Sequence, residues 1–517
     1  MGSKKKLTLS LESAMEIVSD KGMFVISIAI TLTIACIVLI WKRRNGTSFK
    51  GAPVWPVVGI LPSMIFHFGH VHSWLTHLAI VNRGTFRVHG SFKIKICTAD
   101  PANIEYVLKT KHHNFGKGDY FRDILRDLVG ESLLVQDGEH FKMSNKSMSM
   151  ALLSTGFRSS AAITLPSLIT QKLLPVLNQA CEKGTIVDLQ NIFVRLAYDI
   201  MCIFSVGVDP GSLSLDLDRS PFLEAFDETT QWVLFRMCMP SFCWKMLRYL
   251  NVGRERRFLK ARDCVYEFIN KEVYPRWLAD SDDDNGILST FFRLERESGR
   301  VYSYKRKLQS IVNLLLAGKD SVSAGLTWFF WLVAQHPRVE ANILAELRGI
   351  LKQRETLHTP SFSIEEVKQM QYLHAAVTES LRLYPPNPVE VTEAEQDDIL
   401  PDGTPVEKGA LLVYLIYSSG RLESVWGSDC REFKPERWLN INGEFVRESE
   451  FKFLVFNGGP RRCTGREFAY FQMKLAAAAI LIRYRINIAE KYSPLPSFGL
   501  ALSMKQGLRA TLLCRDG

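Results

Sequence analysis

From Met23 to Trp41 the chain reads MFVISIAITLTIACIVLIW, apolar throughout and free of charge. These 19 residues, at a helical rise of about 1.5 Å each, would span ~28 Å and cross a bilayer core. Lys42, Arg43 and Arg44 follow at once, while Lys4, Lys5 and Lys6 stand far ahead of the run. The nearer positive cluster predicts that the bulk of the chain faces the cytosol. A cleaved signal peptide would be shorter and end in small residues, whereas this run ends in Trp-Lys-Arg-Arg. Pro53, Pro56 and Pro62 with Gly51 and Gly59 then make a stiff hinge. The expected order is a lumenal segment (1–22), a membrane anchor (23–41), a basic stop and hinge (42–62), and one large domain (63–517).

Within that domain, residues 86–98 (FRVHGSFKIKICT) alternate as a β-hairpin does. From about 100 to 385 the periodicity is helical, with breaks near 116–118, 207–213 and 283–286. Short extended runs fill 386–420, and a last helix is expected at 466–483. Residues 308–333 are apolar on nearly every face, which predicts a buried helix. A second membrane span is opposed by Lys319 and Asp320 at its centre, which are costly in lipid. Such a polar notch in a buried helix marks a candidate site. The fold expected is mainly α with small β-sheets.

Composition narrows the function classes. Of 517 residues, 47% are hydrophobic and 23% charged, and the net charge is +10. The basic residues are scattered, which suits acidic partners or a membrane surface and argues against nucleic acid, whose binders carry a dense basic stripe. The 10 cysteines show no CxxC pair and no zinc-like spacing. Dispersed thiols fit a reducing compartment better than a disulfide framework.

Cys463 has a distinctive setting in Phe456-Asn-Gly-Gly459-Pro-Arg461-Arg-Cys463-Thr-Gly465, directly before the last helix. A thiolate at a helix N-terminus is stabilised by the dipole and by free N–H groups. The glycines permit a tight loop and the approach of a flat cofactor, Arg461 offers a cation for a carboxylate, and Phe456 can shield the sulfur. A soft, negative, partly desolvated sulfur is what an iron needs to drive cleavage of dioxygen.

This segment resembles the haem-binding loop of the cytochrome P450 family, and other family elements recur in order over roughly 48–517. Glu379-Ser-Leu-Arg382 resembles the Glu-x-x-Arg helix, and Arg437 resembles the third member of that network, which is structural in the family. Ala317-Gly318-Lys319-Asp320-Ser321 resembles the oxygen-activation segment, where Ala317 and Gly318 border the haem, the Gly opens a kink, and the acid and hydroxyl relay protons. The resemblance implies the P450 fold behind an N-terminal transmembrane helix, haem b with Cys463 as iron ligand, and Arg461, Phe456, Gly459 and Gly465 around it. It also implies O2 as co-substrate and Asp320 and Ser321 as catalytic residues. Asn114-Phe-Gly-Lys-Gly118, LPDGTPVEKG and Gly420-Arg-Leu-Glu-Ser-Val-Trp-Gly427 are similar to the plant group that hydroxylates fatty acids near the methyl end. That group implies an endoplasmic-reticulum membrane, single-pass, with a cytosolic catalytic domain. It also implies NADPH–cytochrome P450 reductase as electron donor and an apolar small-molecule substrate. Lys452, Arg461, Arg462 and Arg466 make a candidate steering patch for an acidic donor.

The chain departs from the family where Trp-x-x-x-Arg is usual after VQDGEH: Phe141 and Asn145 stand there instead. Asn cannot neutralise a haem carboxylate, and Lys142 or Lys146 would have to compensate with a point charge. Ser321 stands where Thr is usual. Beside hydroxylation, the residues leave open oxidative coupling or rearrangement at the same haem, and a non-catalytic haem-binding homologue.

Overall fold

The computed structural model describes residues 60–89, 93–214, 220–275, 286–354, 361–488, 493–497 and 499–515. The anchor expected at 23–41 and the segments up to residue 59 lie outside the described residues. The last hinge residues instead open a short helix, Leu61–Phe66, with Pro62 in its first turn, where a missing N–H costs little.

The helices that position the site are α1 (Gly118–Val129), α2 (Gly138–Leu153), α3 (Leu189–Val206), α4 (Pro221–Cys238), α5 (Ser241–Tyr249), α6 (Tyr304–Gln335), α7 (Gln371–Leu383) and α8 (Arg466–Leu481). The central one is α6. Ser303 caps it by accepting the N–H of Arg306 at 3.4 Å, and His336 ends it because Pro337 follows. From Val322 to Val333 only Trp331 is not fully buried, so the all-round apolar pattern reflects packing within the core. Trp328 stacks on Tyr384 at 3.9 Å and donates its indole N–H to the Leu502 carbonyl at 2.6 Å. On α8, Ala476 to Ala479 are wholly buried, and their small side chains let neighbouring helices come close.

The predicted hairpin forms from β1 (Thr85–His89) and β2 (Ile94–Thr98), with Thr85 opposite Thr98. The remaining strands are β3 (Phe115–Gly116), β4 (Val187–Asp188), β5 (Glu390–Ala394), β6 (Asp398–Ile399), β7 (Pro405–Val406), β8 (Leu411–Tyr414), β9 (Tyr484–Ile488) and β10 (Arg509–Cys514). The main sheet runs β1-β2-β8-β5-β3, a second β4-β10-β9, and β6 pairs with β7. The architecture is therefore mainly helical with small sheets.

One expectation is corrected. Cys181 and Cys514 are joined as a disulfide, with Cα atoms 6.5 Å apart and 333 positions between them in sequence. Pairing of β10 with β4 and β9 brings its end back to the helix Leu174–Lys183, an adjacency that cysteine spacing does not encode. Cys97, Cys202, Cys243, Cys264, Cys430 and Cys463 are free.

The core edge also carries a half-buried titratable ring. His374 of α7 packs edge-on to Phe445 at 4.1 Å and lies tilted 4.4 Å from Tyr470. Burial, helped by Lys474, Arg447 and Arg466, lowers its pKa to about 3. The folded chain thus keeps the ring neutral where the unfolded chain already binds a proton, so stability falls as pH drops below about 6.5, by ~1.4 kcal/mol per pH unit for this group. His374→Phe is expected to flatten the acid limb of a denaturant-midpoint profile between pH 7 and 5; an unchanged slope contradicts this.

Candidate active site

The Phe456 carbonyl accepts the N–H of Cys463 at 2.8 Å, closing the segment between them into a loop that delivers Cys463 to the start of α8. Gly459 holds φ at +60°, and a Cβ there would lie 2.2 Å from the Leu108 carbonyl, so a side chain is excluded twice over. Glu450 braces the loop, accepting the Gly459 N–H at 3.0 Å and pairing with Arg462 at 2.6 Å. Gly465 is the N-cap of α8, and a Cβ on it would stand 3.9 Å from Cys463 Sγ.

The Cys463 side chain is solvent-exposed, yet protein surrounds it closely enough for burial to push its pKa up. The Gly465 N–H and the charge of Arg466 act the other way. The thiol is thus accessible while protein packs around it. Ala317 shows the same combination, being exposed in the middle of α6 between buried Leu315 and Lys319.

One turn beyond, Ser321 donates its hydroxyl to the Ala317 carbonyl at 2.6 Å. Lys319 is fully buried and pairs with Asp320 and, at 2.8 Å, with Asp227 of α4. Burial alone would lower the Lys319 pKa, but the two carboxylates outweigh it and hold the ammonium charged. Burial in turn pushes Asp320 up, against the pull of Lys319. Lys319 is thus the bridge between α6 and α4. At Gly318, where α6 stays helical, a Cβ would lie 2.2 Å from Met201 Sδ, so its missing side chain admits α3.

Glu379, Arg382 and Arg437 come together. Arg382 meets Glu379 through two bonds of 2.7 Å, and Arg437 reaches the same carboxylate at 3.4 Å. Arg382 also donates to the carbonyls of Gly420, Cys430 and Glu432, and Arg437 to those of Trp426 and Asp429. The sequence reading missed Trp438, whose indole N–H donates to Glu379 at 2.8 Å, although it adjoins Arg437.

It also missed Asp137. This carboxylate takes the Lys117 N–H at 2.8 Å, Arg122 at 2.6 Å, and Arg461. Arg461 further donates to the Gln136 carbonyl at 2.9 Å and lies 4.1 Å over the Phe141 ring. Asn145 donates to the Pro460 carbonyl at 3.3 Å. Lys142 does not compensate for the lost cation, since its largely exposed ammonium pairs with Glu139 at 3.2 Å. The proposed steering cations are all paired: Lys452 with Glu448, Arg461 with Asp137, Arg462 with Glu450, Arg466 with Glu467.

A haem asks for a soft anionic donor, room for a flat ring, and cations for its carboxylates. The accessible Cys463 fits the first demand, and the bare Ala317 and Gly465 leave space toward the second. Arg461 stands near for the third but is shared with Asp137, and no cation occupies position 145. Asn145→Arg is therefore expected to slow haem loss to apomyoglobin about tenfold, the worth of one charge-assisted hydrogen bond; an unchanged transfer rate refutes it.

Comparison with known proteins bears on the whole arrangement. The family described as Cytochrome P450 matches residues 49–512. Cytochrome P450 86B1 of Arabidopsis thaliana is 39% identical over 90% of this chain and 86% of its own length. Cytochrome P450 94A2 of Vicia sativa is 35% identical over 86% of this chain and 87% of its own. Alkane hydroxylase MAH1 of Arabidopsis thaliana is 32% identical over 90% and 94%. With the cysteine loop and the Glu379 network inside the matched span, the chain belongs to the cytochrome P450 family and is a monooxygenase of that family.

Proposed function

We propose that this enzyme inserts one oxygen atom from O2 into a C–H bond of an apolar chain, a fatty acid or a related specialised plant metabolite. Electrons come from NADPH through cytochrome P450 reductase, and the chain is held in the endoplasmic-reticulum membrane with its catalytic domain cytosolic. The observation that carries the reading is the Cys463 thiol, enclosed yet accessible, at the head of α8. A bound haem supplies the activation of dioxygen, with a thiolate donating charge to the iron. The residues of the chain do the rest. Cys463 would hold the iron, and the Phe456 carbonyl and Gly459 hold its loop in place. Asp320, kept near Lys319, and Ser321 would hold and pass protons at this wall of the site. One similar protein bears the name alkane hydroxylase, which supports a saturated apolar substrate. Microsomes containing the full chain and a reductase should consume NADPH and hydroxylate saturated acids of 12 to 18 carbons (roughly the reach of a pocket-sized ligand). Product from a fatty-acid hydroperoxide without reductase or NADPH, with none from the saturated acids, would favour rearrangement instead, and no product from any chain length would remove the fatty-acid reading.

A further inference from the structure

The bond between Cys181 and Cys514 stands apart, because the other described cysteines are free. A cytosol keeps thiols reduced, and the disulfides that do form there are usually transient or redox-sensing. Cys97, Cys202 and Cys430 are buried, so none of them competes for either partner.

The two sulfurs differ in access. Cys514 is exposed near the end of β10, beside the equally exposed Leu513, while Cys181 is partly buried against the core. An exposed disulfide is open to attack by a dissolved thiolate, and exposed disulfides are the labile ones. Its reduction balances with two molecules of glutathione. The first thiolate attacks the Cys514 sulfur, the sulfur–sulfur bond breaks, and Cys181 leaves with the electron pair. The second attacks the glutathione sulfur of the mixed disulfide, which releases Cys514 and glutathione disulfide. The protons lost by the two glutathione thiols end on the two cysteines. The reverse reaction closes the bond again.

Opening the bond leaves β10 in place. It stays paired with β4 and with β9, where Cys514 lies opposite Tyr484. The Tyr484 hydroxyl donates to Asn178, about one turn before Cys181 on the helix Leu174–Lys183. Arg515 donates its backbone N–H to the Arg483 carbonyl at 2.8 Å. Its Nε reaches the carbonyls of Leu481 at 2.9 Å and Tyr484 at 3.1 Å, and its guanidinium pairs with Glu340. Leu481 is the last residue of α8, the helix that begins beside Cys463. The disulfide thus reinforces a joint at the far end of that helix, across 333 positions of chain. A link over so long a loop restricts the unfolded chain and spares the folded contacts.

We propose that Cys181 and Cys514 are a reversible redox modification site, closed by glutathione disulfide and opened by cytosolic thiols, which sets the heat resistance of the domain and leaves its turnover alone. The role of cytosolic thiols rests on the placement of the domain proposed above.

The test equilibrates full-length holoenzyme in vesicles with glutathione buffers of graded oxidation. After an acid quench and alkylation, peptide mass spectrometry reads the free thiols at 181 and 514. The two should vanish together as the share of glutathione disulfide rises, and return together as it falls. Heat-induced change of tryptophan fluorescence should come about 5 °C later in the oxidised protein, with equal turnover at room temperature. Cys181→Ser and Cys514→Ser should each unfold at the temperature of the reduced wild type, whatever the buffer. Thiols that stay free in the most oxidising buffer overturn the proposal, and so does a bond that no glutathione buffer opens. Separate glutathione adducts on the two residues, or an unfolding temperature that ignores the buffer, overturn it too. Protease digestion of intact microsomes reports the placement by itself: a protected domain defeats the cytosolic reading and leaves the titration result standing.

Discussion

Glu379→Ala is expected to leave little folded, haem-retaining protein. The carboxylate is fully buried and accepts from Arg382 twice, from Trp438, from the Lys434 N–H and from Arg437. Its removal strands the Arg382 guanidinium, itself 1% exposed, in the core. Breaking a buried pair from one side costs roughly 3–5 kcal/mol, because the surviving charge loses its partner and gains no water. Against a total stability of about 5–15 kcal/mol, that is enough to unfold much of the population. Because Arg382 and Arg437 also hold the carbonyls of residues 420–432, the damage should spread to the segment leading into the Cys463 loop. A denaturant titration with haem content as the second readout checks this, and a midpoint within error of wild type contradicts it. Glu379→Gln should fall between, keeping the shape and the Trp438 bond while losing the charge.

The elements that could be read from the sequence are those encoded over a few turns. The all-round apolar run of α6, the alternation of β1 and β2, and the glycine spacing before α8 each specify local backbone geometry, and they stand where expected. The pair Glu379 and Arg382 was legible for the same reason, since a spacing of three shares one helix face. What was hidden depends on contacts between distant segments. Asp137 and Arg461 are 324 positions apart, and Lys319 and Asp227 are 92 apart. No local pattern announces either contact. Gly318 shows a different kind of gap: the residue stands where the family places it, but its contact with Met201 of α3 was not legible in the sequence. Phe141 was readable as a departure from the usual Trp, though not as the ring on which Arg461 rests. Phe141 thus gives Arg461 a ring to rest on and Asn145 ties the Pro460 carbonyl, with the loop itself closed.

Cys463→Ser should abolish turnover while leaving the fold in place. The loop owes its shape to the Phe456–Cys463 backbone bond, to Gly459 and to Glu450, none of which uses the sulfur. Serine keeps the size and the backbone bond but offers a hard, neutral oxygen in place of a soft thiolate, and the charge donation that drives O–O cleavage is lost. A fall in NADPH-dependent turnover on the order of 1,000-fold or more is expected, as for removal of an essential group, with the thiolate signature missing from the carbon monoxide difference spectrum. Cys97 gives the contrast: it is buried, and burial pushes its thiol up to about 12, which makes it an inert core residue. Cys97→Ser should therefore cost stability and leave the spectrum alone. If the two variants behaved alike, the chemistry would not reside in the thiol at the head of α8; if only Cys463→Ser loses the spectrum, the separation of enclosed from accessible sulfur identifies the ligand.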